Sequence, residues 1–103
     1  MNVRLLAEAE VEAQDAARWY EARRTGLGED FLQALSRGLE AIESHPTRYS
    51  RVANVLPDRD VRRILLKRFP YKIVFEIRPS ETLVIAVAHT HRHPTYWKHR
   101  GED

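Results

Sequence analysis

Between Tyr71 and Arg78 the chain alternates: Tyr71, Ile73, Phe75 and Ile77 fall on one side, Lys72, Val74, Glu76 and Arg78 on the other. That is the two-residue period of a strand with two unlike faces. Thr82 to His89 follows after the turn residues Pro79-Ser80-Glu81 and is apolar at both phases, which predicts a central strand. Val61 to Arg68 predicts a strand before them, and short connections make the three antiparallel. A fourth, short strand is predicted at Asn2 to Leu6.

The pattern between these strands has a different period. Ala9, Ala13, Ala16, Ala17 and Tyr20 recur at three- and four-residue spacing and predict a helix over Ala7 to Arg24. Its acids come early (Glu8, Glu10, Glu12, Asp15) and Arg23 and Arg24 late, the order that the helix dipole favours. Gly26 stands where a left-handed residue ends such a helix. Leu27, Phe31, Leu35, Leu39 and Ile42 form the stripe of a second helix, which His45-Pro46 stops. Two amphipathic helices this close in sequence form an antiparallel hairpin. Trp19 lies off the alanine stripe and either edges the hairpin or offers an exposed contact, with a partly buried packing role favoured.

A hairpin needs an apolar surface, and the Tyr71/Ile73/Phe75/Ile77 face supplies one. By phase, Ile64 and Leu66 join it from one neighbour, and Leu83, Ile85 and Val87 from the other. The opposite face is expected to be open, with Arg63, Leu65, Lys67, Lys72, Val74, Glu76, Arg78, Val84, Ala86, Ala88 and Arg92. The fold class is therefore α+β, with an antiparallel sheet packed on a helical hairpin, in a single domain over residues 1–103.

Composition narrows the chemistry. The chain has no cysteine, which excludes disulfides, thiolate metal sites and cysteine nucleophiles and fits a cytoplasmic location. Residues 1–47 carry five Lys/Arg against nine Asp/Glu, and residues 48–103 carry twelve against six. The strand-rich half is thus the basic half. That suits a polyanionic or acidic partner, or a solvated polar face. No apolar run is long enough to span a membrane, so no membrane partner is expected.

Two candidate sites emerge. Arg63, Lys67, Lys72 and Arg78, with Arg92, would hold phosphates or a target on the open face, with Tyr96 and Trp97 near for stacking. The tail from His89 to Arg100 adds His91, Arg92 and Tyr96, which have the chemistry for acid–base cleavage of RNA beside stabilising cations. His89, His91 and His93 alternate, but Pro94 breaks the strand and no carboxylate is adjacent. Hydrogen-bonded histidines at a strand end are therefore favoured over a metal site. There is no Gly-rich nucleotide loop, and neither metal nor cofactor is expected.

The order of several short features is distinctive. It runs from Trp19-Tyr20 through Leu27-Gly28-Glu29-Asp30-Phe31, His45-Pro46 and Arg63 to Phe69-Pro70-Tyr71-Lys72-Ile73-Val74-Phe75. It ends with Ile85-Ala86-Val87-Ala88-His89 and His91-Arg92-His93-Pro94-Thr95-Tyr96-Trp97. This order resembles the RelE/ParE superfamily of bacterial type II toxins, including members known as plasmid-stabilisation proteins. The resemblance implies a β-α-α-β-β-β fold and a growth-inhibiting toxin, neutralised in a hetero-oligomer with a cognate antitoxin. It implies one of two targets: mRNA on the ribosome, cleaved by RelE-like members, or DNA gyrase, inhibited without catalysis by ParE-like members. A module that binds antitoxin or nucleic acid without toxicity is the alternative.

Overall fold

The computed structural model describes residues 2–53 and 55–102; Met1, Asn54 and Asp103 lie outside the described residues. The chain runs β1 (Val3–Leu5), α1 (Ala7–Arg23), α2 (Leu27–Ser44), a 3-10 turn (Pro46–Arg48), β2 (Asp60–Leu65), β3 (Tyr71–Ile77) and β4 (Thr82–His89). The sheet order is β1-β4-β3-β2. The pairs β2–β3 and β3–β4 are antiparallel, as their short connections require, whereas β1 lies parallel to β4. The helical hairpin, β2 and β3 all separate β1 from its partner in sequence, so turn length places no constraint on their relative direction. Gly26 has φ 91°, the left-handed conformation expected between the helices.

The hairpin covers one face of the sheet. Ala9, Ala13, Ala16 and Ala17 are buried, and their small side chains let α1 approach closely. At Gly28 a Cβ would sit 2.6 Å from the Ala17 carbonyl oxygen, so α2 meets α1 where only glycine fits. Tyr20, Phe31, Phe69 and Tyr71 pack their rings together, mostly edge to face, at centroid separations of 4.9 to 6.2 Å. β2 stops at Leu65, three residues short of expectation. Arg68 there adopts φ 73°, and the resulting turn drives Leu66 and Phe69 into this core.

Register departs from simple alternation at one point. β3 and β4 pair Val74 with Ala86 but Phe75 with Val84, leaving Ile85 as an extra residue. The bulge reverses the phase of the first half of β4. Val84, expected on the open face, packs with Phe75 in the helix-side core. Ile85, expected beneath the helices, joins Val61, Val74, Ala86 and Ala88 on the other side. Leu83 stands opposite Glu76, also away from the expected face. Val87 lies past the bulge and keeps its predicted side.

The second face is not open. The segment after β4 folds back across it and inserts Trp97, fully buried, against Val61, Val74, Ile85, Ala86 and Ala88. β4 thus has apolar residues at both phases because it has a cover on each side. Beneath this C-terminal cap, Glu76 accepts from Arg59 Nε at 2.8 Å and from Arg78 Nε at 3.0 Å. Arg59 also donates to the Lys98 and Arg100 carbonyls at 2.7 and 3.1 Å, and Arg78 donates to the Gly101 carbonyl at 2.7 Å. Two guanidiniums therefore bind one buried carboxylate and the last turn of the cap together. Burial would raise the Glu76 pKa, but the Arg59 and Arg78 hydrogen bonds outweigh it and hold it below the ordinary 4.5.

Two stability outcomes follow from the cap. Trp97→Ala should cost about 3–5 kcal/mol in denaturant unfolding, the range for emptying a large aromatic site; a cost below that of a surface change would mean that the cap does not seal the sheet. Because Glu76 is depressed in the folded chain, its contribution is fully present above the ordinary carboxylate pKa and disappears as pH falls through its folded pKa. The stability gap between wild type and Glu76→Gln should therefore close as pH drops below 4.5. A gap that stays constant down to the acid limit would show that Glu76 is not held charged.

Candidate functional site

Glu12 sits on α1 where it crosses the end of β4, and its carboxylate ties the helix to the sheet edge and to the cap. Oε1 accepts from the Val87 amide at 3.1 Å and from Arg100 Nη1 at 2.8 Å. Oε2 accepts from the Tyr96 hydroxyl at 2.6 Å and from Arg100 Nη2 at 3.2 Å. β1 pairs only as far as Val84, so the edge of β4 beyond it would otherwise be unmatched. Glu12 satisfies the Val87 amide there, and Arg100 donates to the Ile85 carbonyl at 3.2 Å.

Two of the three acid–base candidates meet at this node. Tyr96 is partly buried, and its hydroxyl pKa is pushed up, first by burial and then by the hydrogen bond to Glu12. The guanidinium of Arg92 lies 3.8 Å from the Tyr96 ring centroid, and its Nη1 is 3.9 Å from Glu12 Oε2. His91 stands apart on an exposed turn, its ring edge-on to His89 at 5.0 Å. The His91 amide donates to His89 Nδ1 at 3.0 Å and the Thr95 amide to His93 Nδ1 at 3.3 Å. These ring nitrogens therefore order the turn. Among the described residues no three His, Asp or Glu side chains group as a metal site would require.

Beside the node a groove of about 550 Å³ runs between α1 and the end of β4, with Glu12, Asp15, Trp19, Tyr71, His89 and Arg92 along it. Trp19 is 52% exposed, against the expectation of partial burial. Arg23 stacks over its ring at 3.8 Å. The lining carries an indole, two phenols, an imidazole and a guanidinium, with Arg23 stacked on the indole beside it, and Trp, Tyr and Arg are the side chains that dominate protein recognition surfaces.

The basic residues predicted to share one face do not do so freely. Arg78 is spent on Glu76 and the cap. Lys67 is exposed past the end of β2 and lines a different groove of about 360 Å³, with Asp30, Arg37 and Leu65. Arg63 and Lys72 remain together at the β2–β3 corner. Sequence reading overlooked Glu12, Arg59, Glu76 and Arg100 as organisers. Glu12 looks like one more acid in an acidic first turn, and its partner Tyr96 is 84 residues away.

The chain matches the family of ParE toxins of type II toxin-antitoxin systems (parDE) over residues 3–94. Its fold is similar to a solved chain of the chromosomal ParDE toxin-antitoxin system from P. aeruginosa, with a TM-score of 0.62. That match has 16% sequence identity and covers 86% of this chain and 95% of the other. No curated protein sequence matches the chain. No described helix is long and apolar enough to cross a membrane. The family match takes in α1, both grooves and all four strands, and so the chain belongs to the ParE toxin family and is the toxin component of a type II toxin-antitoxin system, with a cognate antitoxin as its partner.

Proposed function

We propose that the chain inhibits bacterial growth by binding DNA gyrase in the cytoplasm, without cutting mRNA. The observation that carries this reading is the engagement of Tyr96. Its hydroxyl donates to Glu12 at 2.6 Å with its pKa raised, so it is poorly placed to take a proton at neutral pH. The remaining exposed groups, His91 and Arg92, make a weak acid–base pair and a good contact surface. ParE membership supports the same side of the choice, since the ParE-like branch of the superfamily acts by binding. In this reading Trp19, His89 and Arg92 in the α1–β4 groove contact the target, with Arg23 and His91 beside it, and Tyr96 positions Arg92.

A pulse of induced expression, with DNA, RNA and protein synthesis followed in parallel, tests it. An early block in DNA replication with trapped double-strand breaks and intact mRNA is expected. New mRNA 5′ ends with an early fall in translation would overturn it, as would antitoxin binding with no growth arrest. Tyr96→Phe should retain growth inhibition, because the ring still carries Arg92. Trp19→Ala and Arg92→Ala should each weaken binding to purified gyrase by about tenfold, the effect of losing one contact worth ~1.4 kcal/mol.

A further inference from the structure

β2 is an outer strand of the sheet, and its free side is covered along only part of its length. The Val52 amide donates to the Val61 carbonyl at 2.8 Å, and the Arg63 amide donates to the Ser50 carbonyl at 3.3 Å. Residues at this phase turn their backbone polar groups away from β3, and Leu65 shares the phase. The Arg63 carbonyl and the Leu65 amide and carbonyl therefore face outward, with no partner among the described residues. Leu65 is 64% exposed, an apolar side chain standing at a bare edge.

The bare edge borders the groove of about 360 Å³ between β2 and α2. Ala34, Gly38 and Ala41 keep the helix wall low, and Tyr49 and Ile64 add apolar surface. A slot between an edge strand and a helix is the geometry in which an extended peptide adds as a further strand. Its backbone pairs with the edge, and its alternate side chains enter the slot. The charge of this slot is one-sided. Arg37, Lys67 and Arg68 line it against one acid, Asp30, which already faces Arg24 at 4.0 Å and Arg68 at 3.6 Å. Arg68 also holds φ 73°, a conformation natural for glycine and costly for a residue with a side chain. A guanidinium kept there against backbone preference points to use of the side chain.

We propose that the β2 edge and the α2–β2 groove take an extended, acidic segment of the antitoxin as an added strand. Acidic side chains of that segment meet Arg37, Lys67 and Arg68, and apolar ones between them cover Ile64 and Leu65. A second copy of this chain is disfavoured as the occupant, because pairing β2 with β2 would bring Arg63 and Lys67 of both copies together. The α2–β2 groove shares no lining residue with the α1–β4 groove. The antitoxin is thus anchored away from the surface assigned to the target. The proposal rests on the antitoxin as partner and not on gyrase as target.

Amide hydrogen exchange tests it, followed by NMR on the full chain alone and in its complex with the co-expressed antitoxin. The Leu65 amide should exchange fast in the free chain and at least about tenfold more slowly in the complex. Leu65→Pro deletes the outward N–H, a change that an edge strand tolerates, and should weaken antitoxin binding by about tenfold. Arg37→Glu and Lys67→Glu should weaken it too, and more so at low salt. Arg68→Gly should melt no lower than wild type, because it relieves the positive φ, yet bind antitoxin less tightly; a role in the fold alone would leave binding unchanged. A Leu65 amide that still exchanges fast in the wild-type complex overturns the proposal, whatever the variants do. Protection that appears on concentrating the free chain would assign the edge to a second copy, and protection by purified gyrase but not by antitoxin would assign it to the target. Either result overturns the proposal.

Discussion

A central strand that is apolar on both faces must be covered twice. β4 is buried from Thr82 to Ala88, and the two helices can reach only one side of it. The second cover is the C-terminal segment, closed by the Trp97 side chain. Much else in the molecule follows from that closure. Trp97 packs on the sheet where the neighbouring residues are mostly small or β-branched: Val61, Val74, Ile85, Ala86 and Ala88. The same cover takes Glu76 and Arg59 out of water, and a buried charge pair persists only where its geometry and added hydrogen bonds offset desolvation. The carbonyls of Lys98 and Arg100 supply those additional bonds. The indole nitrogen of Trp97 has no hydrogen-bond partner among the described residues, which subtracts from the seal without breaking it.

The cap also decides the character of the surface. A chain whose second half is rich in arginine suggests an exposed basic sheet. Instead, Arg59 and Arg78 clamp the cap, Arg100 binds Glu12, and Arg62 donates to the Thr47 and Tyr49 carbonyls at 3.0 and 2.8 Å to fix the connector before β2. Much of the positive charge is internal scaffolding. What reaches a partner is a smaller and more varied set, with guanidiniums stacked on Trp19 and Tyr96 at the rim of the α1–β4 groove. Such a rim favours recognition of a protein surface over even gripping of a nucleic-acid backbone, which is why the binding mechanism is preferred here.

The parts legible in the sequence were those governed by local period. Both helices, the β3 alternation and the bounds of β4 follow from neighbours three, four or two residues apart, and the ordered Phe69-Pro70-Tyr71 and His91-to-Trp97 features pointed to the toxin superfamily. The illegible parts depend on distant partners. The parallel β1–β4 pair spans 79 residues between Val3 and Thr82. The β4 bulge leaves no local mark, because Val84, Ile85 and Ala86 are equally at home on either face. Trp97 reads as a candidate stacking residue until the sheet gives it a floor, and Glu12 reads as helix punctuation until Tyr96 and Arg100 arrive.

Those failures share a direction. Two side chains taken as free for chemistry are instead bonded within the fold: Arg78 to Glu76 and the Gly101 carbonyl, and Tyr96 to Glu12. The Val87 amide and Ile85 carbonyl lie where β1 has ended, and Glu12 and Arg100 meet them. A three-residue β1 therefore has a consequence beyond its own length. By leaving the outer edge of β4 unmatched beyond Val84, it leaves room for a carboxylate at the sheet edge, the carboxylate holds Tyr96, and Tyr96 carries Arg92 to the rim of the groove. The position of the candidate contact surface thus follows from where the first strand stops, and the side chains that fix it are held by the same bonds.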